Sequence, residues 1–166
     1  MQAIFIRHAE AAPAGEGGDE ARRLTPAGRK QARAAGKALR ALGLRIEVIL
    51  TSPMPRAAET AEIVSAAHPK AEVRVEQCLA PGGGAADVAG MLGKLRETGL
   101  KTVALVGHTP SLETCIARLV LGRGEMGISL SKAGAACVTL PGEEAGEPEL
   151  RWLMRRKHLA TIAARA

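Results

Sequence analysis

The sequence predicts an α/β protein, a three-layer α/β/α sandwich around a mostly parallel central sheet. Short apolar runs recur at residues 3–6, 46–50, 71–75, 103–106, 135–140 and 150–154, separated by longer helix-like stretches. The first, second and fourth runs lack polar alternation, the mark of strands buried on both faces of a parallel sheet. Three hydroxyl–proline pairs, Thr25-Pro26, Ser52-Pro53 and Thr109-Pro110, each read as a helix cap followed by a proline suited to the first turn. Two of these follow closely on a buried-type strand, the alternation that builds an α/β sandwich. The 166 residues suit one domain, and nothing marks a boundary.

The first strand ends in Arg7-His8, and the Gly/Pro-rich stretch 12–18 after it reads as a loop. In the helix opened by Thr25-Pro26, Arg29, Arg33, Lys37 and Arg40 form a stripe expected to face solvent. The second strand leads through Ser52-Pro53 into a helix with Arg56 in its first turn. After the third strand and a loop at 81–84, Val88, Met91, Leu92 and Leu95 follow the spacing of an amphipathic helix. The fourth strand ends in Gly107-His108, and Leu112, Cys115, Ile116, Leu119 and Val120 repeat the helical spacing. A loop at 141–148 separates the last two strands, and residues 151–166 read as the last strand and a solvated, fraying basic tail.

Composition narrows the function. The chain carries 23 Lys and Arg against 17 Asp and Glu, a net charge of +6. Arg151, Arg155, Arg156, Lys157 and Arg165 supply five of those charges, so the body is almost balanced. One Phe, one Trp and no Tyr leave little on which to stack bases, which argues against a nucleic-acid-binding protein. No apolar run is long enough to span a bilayer, and the start has no signal-peptide layout, so a cytoplasmic protein without a membrane partner is expected. Cys78, Cys115 and Cys137 are odd in number and widely spaced, consistent with buried thiols in a reducing compartment. Neither they nor His8, His68, His108 and His158 have metal-ligand spacing, so no metal is expected. His68 and His158 are expected at the surface.

The strand ends hold the candidate chemistry. Ligands of such sheets sit outside the carboxyl ends of the strands, beside helix N-termini. There the sequence places two imidazoles, His8 and His108, and two guanidiniums, Arg7 and Arg56. Guanidinium forks match phosphate oxygens, so the cluster calls for a phosphate-like dianion. Each residue also has a plainer role: Arg7 as a charge ending a strand, Arg56 paired with Glu59 or Glu62 on its own helix, His108 in a cap.

These residues carry a resemblance. Arg7-His8-Ala9-Glu10-Ala11 resembles the Arg-His-Gly motif of the histidine phosphatase superfamily, whose fold is phosphoglycerate mutase-like. Ser52-Pro53-Met54-Pro55-Arg56-Ala57-Ala58-Glu59-Thr60 is similar to the family's Ser-Pro-x-x-Arg-Ala-x-x-Thr helix start. Gly107-His108 resembles its second histidine, and Leu24-Thr25-Pro26-Ala27-Gly28 the Leu-Thr-x-x-Gly opening its first helix. The length and the Arg-His-Ala-Glu-Ala and Arg-Leu-Thr wording look most like the small SixA-type phosphohistidine phosphatases. The resemblance implies a single phosphatase domain over residues 1–166, with His8 as nucleophile and Arg7, Arg56 and His108 holding the phosphoryl oxygens. It implies no cofactor and no metal.

Two departures from the family bear on the substrate. Ala9 replaces the usual Gly, harmless in extended backbone and costly at positive φ. Many members carry Leu-x-Glu after the third strand, with the Glu as general acid; here Leu79 is followed by Ala80 and Pro81. An alkoxide leaving group benefits ~10²–10⁴-fold from such an acid. A ring-protonated N-phosphoimidazole leaves as neutral imidazole without one. The expected substrate is therefore a phosphorylated protein carrying phosphohistidine. The alternatives are a small phosphomonoester, such as a nucleotide or sugar phosphate, and a catalytically inactive phosphate-binding module. Glu10, close after His8, either supplies a proton or orients an arginine.

Overall fold

The computed structural model describes residues 1–123, 127–142 and 146–166. Six strands form one sheet: β1 (Gln2–Arg7), β2 (Val48–Thr51), β3 (Glu72–Val75), β4 (Thr102–Gly107), β5 (Ala135–Thr139) and β6 (Glu149–Met154). Five helices are interleaved: α1 (Pro26–Ala41), α2 (Pro55–Ser65), α3 (Ala85–Glu97), α4 (Ser111–Leu121) and α5 (Arg156–Arg165). The strand order is β3-β2-β4-β1-β5-β6. The first four strands of that order pair in parallel, and β5 pairs antiparallel with both β1 and β6. Each predicted strand is present, shifted by at most two residues at an end; the loop at 141–148 includes residues 143–145, outside the described residues.

Alternation along β1 divides the core into two layers. Ala3 and Phe5 join Leu50, Leu105, Leu92, Leu112 and Ile116 beneath α3 and α4. Ile4 and Ile6 join Ile49, Val106, Leu39, Ala57 and Val64 beneath α1 and α2. The interior residues of β1, β2 and β4 are all buried, which is why their sequences show no polar alternation. Edge strand β3 lies open, with Val75 57 % exposed.

Three expectations need correction. Residues 156–165 do not fray: α5 packs on α1, burying Leu159, with Ile162 and Ala163 against the same core layer. Its charges face solvent while a short apolar face docks. His68 is buried rather than exposed, with Nε2 3.2 Å from the Gly36 carbonyl. Of the three hydroxyl–proline pairs, only Thr25 caps its helix, accepting the Gly28 N–H at 2.9 Å. Helices α2 and α4 begin at Pro55 and Ser111 instead, so Ser52 and Thr109 lie in the approach to each helix.

Candidate active site

Parallel pairing aligns the carboxyl ends of three neighbouring strands. Arg7 on β1 is level with Gly107 on β4, and Thr51 on β2 with Val106. The ladder runs on for one residue: the His8 N–H donates to the Gly107 carbonyl at 3.0 Å, and the Ser52 N–H to the Val106 carbonyl at 2.9 Å. His8, His108 and Ser52 thus emerge side by side, with the two imidazole centroids 5.1 Å apart and the rings tilted by 54°. All three are buried, as is Arg56 in the first turn of α2.

His8 has a fixed orientation. Its Nδ1 lies 2.7 Å from the Ala9 carbonyl, which can only accept, so Nδ1 carries the proton and Nε2 the lone pair. Burial, with the positive charges of Arg56, Arg7 and Lys132, pushes its pKa down to about 4 against the carbonyl's opposing pull. Burial lowers His108 to about 4 as well, reinforced by His8 and Arg56 and opposed by Asp19. Both rings are therefore neutral at pH 7. The Nε2 of His108 lies 2.9 Å from Ser52 Oγ, which also accepts the Met54 N–H at 3.2 Å. Ala9 carries no strain, since Ala133 is the one non-glycine residue at positive φ among the described residues. Its N–H donates to Thr60 Oγ1 at 3.1 Å, and that hydroxyl donates to the Arg56 carbonyl at 2.7 Å. One threonine therefore ties the backbone after His8 to the turn carrying Arg56.

The two guanidiniums are held from one side only. Arg7 Nη1 donates to the Leu130 carbonyl at 2.9 Å. Arg56 does not pair with Glu59 or Glu62; its Nη1 donates to the Asp19 carbonyl at 2.7 Å and its Nη2 to Asp19 Oδ2 at 2.9 Å. Glu59 instead receives Arg23, Arg29 and the Leu24 N–H, clasping the loop before α1. The Nε atoms of both Arg7 and Arg56 are buried with no partner among the described residues. Buried donors left open in this way mark a place for an acceptor the protein does not supply.

Glu10 faces elsewhere. Its carboxylate accepts Thr25 Oγ1 at 3.1 Å and Gln31 Nε2 at 3.3 Å, with Arg156 Nη1 at 3.9 Å. Its own carbonyl lies so close to Gly28 that a methyl group there would overlap it, which is why α1 opens on a glycine at that position. After β3, Leu79 packs its carbonyl near Gly107, and no carboxylate occupies Ala80 or Pro81. Among the described residues no three His, Cys, Asp or Glu side chains gather into a metal-binding group.

Comparison with known proteins places the sequence and the fold in one family. The sequence profile of the histidine phosphatase superfamily (branch 1) matches residues 3–80. The phosphohistidine phosphatase SixA of Escherichia coli is 31% identical over 157 residues, 93% of each chain. The chain belongs to the histidine phosphatase superfamily. An uncharacterised Picosynechococcus protein is 36% identical over 137 residues, covering 81% of this chain and 82% of the other. A solved structure of the protein histidine phosphatase SixA complexed with tungstate superposes with a TM-score of 0.84 at 30% identity. It covers 96% of this chain and 99% of that one. Within this superfamily member, the fold brings together Arg7, His8, Arg56 and His108, and sets Glu10 aside against α1. Sequence reasoning missed Asp19, Ser52 Oγ and Thr60 as parts of the cluster. Only Ser52 and Thr60 left a signal, because they stand in the matched helix-start motif.

Proposed function

We propose that the protein is a phosphatase that passes a phosphoryl group through His8 to water, with protein phosphohistidine as its substrate. The observation that carries this reading is the His8 imidazole itself. It is neutral, its Nδ1–H is held by the Ala9 carbonyl, and its free Nε2 lies among two guanidiniums with open buried donors.

In the first step the Nε2 lone pair of His8 attacks phosphorus while the bond from phosphorus to the leaving atom breaks. The bonding pair departs with the leaving group. Arg7, Arg56 and His108 hold the equatorial oxygens, where transition-state charge gathers, so catalysis is positioning and electrostatics. The guanidiniums supply the positive charge, and no metal ion takes part in the proposed step. In the second step water attacks phosphorus, the P–N bond to His8 breaks, and the proton lost by water is carried away as phosphate forms. Tungstate is a tetrahedral oxyanion like phosphate, so its complex with the similar SixA supports an anion site in this fold. The substrate class follows from the missing acid. With Pro81 at the usual position and Glu10 engaged by Thr25 and Gln31, a leaving group that departs without an enzymic proton is favoured.

The test pairs a variant with a substrate panel. His8→Ala should abolish turnover and the acid-labile, alkali-stable phosphoenzyme, and EDTA should leave the wild-type rate in place. Wild type should hydrolyse a phosphohistidine peptide faster than sugar phosphates, nucleotides or p-nitrophenyl phosphate. Faster ester turnover would overturn the substrate class, and an inert wild type would leave a phosphate-binding module.

A further inference from the structure

Asp19 stands on the loop between β1 and α1, beside Gly18, whose φ of +71° turns the chain there. The loop is fixed at both ends of this turn. Arg22 donates through Nε to the Ala12 carbonyl at 2.6 Å and through Nη1 to Asp19 Oδ1 at 2.7 Å. Asp19 then covers the outer edge of Arg56 with its backbone carbonyl and Oδ2. Its side chain is 60% exposed, against 5% for Arg56. A carboxylate offers about four lone-pair directions. Arg22 and Arg56 take two, and the remainder face the solvent at the mouth of the site. A phosphoryl group on the inner edge of Arg56 would have this carboxylate one guanidinium away.

We propose that Asp19 is the leaving-group subsite, a fixed negative charge that selects a cationic N-phosphoimidazolium over a leaving group that departs as an anion. The inference rests on the phosphohistidine reading above and deepens it. The N–H of the substrate's ring donates to a free Asp19 lone pair, which keeps the ring protonated. His8 Nε2 attacks phosphorus, the substrate P–N bond breaks, and its electron pair returns to the ring nitrogen. The ring leaves as neutral imidazole, still holding the N–H that faces Asp19, so no proton moves in the step. An ester gains nothing from the same carboxylate. The Arg22 and Arg56 hydrogen bonds hold Asp19 below the usual carboxylate range, so it is no proton donor near neutrality, and its charge repels a departing oxyanion.

The effect is a pH-dependent specificity. An opposite charge near a titrating group shifts its pKa by about 1 or more. For an exposed carboxylate already shared by two arginines, the low end applies. With the substrate ring starting near the ordinary imidazole value of about 6.5, a rise of about 1 increases its protonated fraction roughly eightfold at pH 8 and hardly at all at pH 5.5.

The experiment measures kcat/KM for a phosphohistidine peptide and for p-nitrophenyl phosphate, at pH 5.5 and pH 8, in wild type, Asp19→Asn and Asp19→Glu. In Asp19→Asn the peptide-to-ester ratio should fall about tenfold at pH 8 and less than about twofold at pH 5.5. Asp19→Glu, which restores the charge, should recover most of it. Equal losses on both substrates at both pH values would mean that Asp19 only pins Arg56, and would overturn the proposal. So would a ratio that does not change. A wild type that prefers the ester refutes the phosphohistidine reading itself, before any variant is compared.

Discussion

Acidification should unfold this protein through its own active site. His8 and His108 sit at about 4 in the folded state, and an imidazole in an unfolded chain titrates near 6.5. Their folded values are depressed, so the stability they carry is fully present above 6.5. It is lost as pH falls from there through 4, because the unfolded chain takes up protons the folded site refuses. A gap of about 2.5 in pKa corresponds, by pH 4, to about 3 kcal/mol for each ring and about 6 kcal/mol for the pair. Against a typical domain stability of about 5–15 kcal/mol, that is enough to bring the protein close to its unfolding midpoint. Urea unfolding at pH 7.5, 6.5, 5.5 and 4.5 measures the slope, which should approach two extra protons bound by the unfolded state. The double variant His8→Asn, His108→Asn lacks both titrating groups and should keep a flatter profile over that window. Inorganic phosphate should flatten the wild-type profile too, because a bound dianion favours the protonated rings. A double variant as acid-sensitive as wild type would refute the reasoning, and the loss would then belong to carboxylates such as Asp19 and Glu72, whose pKa values are lowered by their arginine partners.

Two further substitutions probe the supports of the site. Arg56→Lys keeps the charge but loses the planar fork that grips Asp19 while leaving Nε open; kcat/KM for a phosphohistidine peptide should fall about 10²–10³-fold, the scale of removing one preorganised donor set. Thr60→Val strips the hydroxyl that accepts the buried Ala9 N–H; urea denaturation should show a loss of about 1–3 kcal/mol, the cost of one orphaned buried donor, together with a lower turnover.

The residues that were legible in the sequence are those whose position follows from the strands. A run of apolar residues that ends in Arg7-His8 or Gly107-His108 places those side chains at the sheet's carboxyl edge, and parallel register does the rest. The contacts that were not legible cross between loops and helices. Asp19 reaches Arg56 from a glycine-rich loop with no periodicity, 37 residues earlier in the chain. Glu59 and Glu62 are closer in sequence to Arg56, but Glu59 is engaged by Arg23 and Arg29 from the loop and first turn before it. Helix α5 was hidden for a different reason: its ten residues bury one side chain fully, Leu159, and it opens on Arg156-Lys157 and ends on Arg165. Ser52 was legible as a hydroxyl but not in its role, since the prolines at 53 and 55 move the helix start onward and leave Oγ to His108.

The placement of the charges bears on both halves of the proposed reaction. A nucleophile must be unprotonated to attack a dianion, and in water a histidine near pH 6.5 is half protonated. Burial together with Arg56 and Arg7 keeps His8 neutral, so the groups that would bind the phosphoryl oxygens also prepare the attacking nitrogen. The same lowered basicity weakens His8 as a nucleophile but makes it a better leaving group, and in the second step His8 is the leaving group. A phosphoramidate substrate suits that balance. Its own P–N bond is already labile, so the attack can tolerate a weak nucleophile, whereas an alkyl ester would need both a stronger one and a proton donor. Neither Glu10 nor Asp19 is free to be that donor: Glu10 is turned toward α1, and Asp19 is held ionised by Arg22 and Arg56. The weak nucleophile and the missing acid therefore point to one substrate class from opposite sides of the phosphorus.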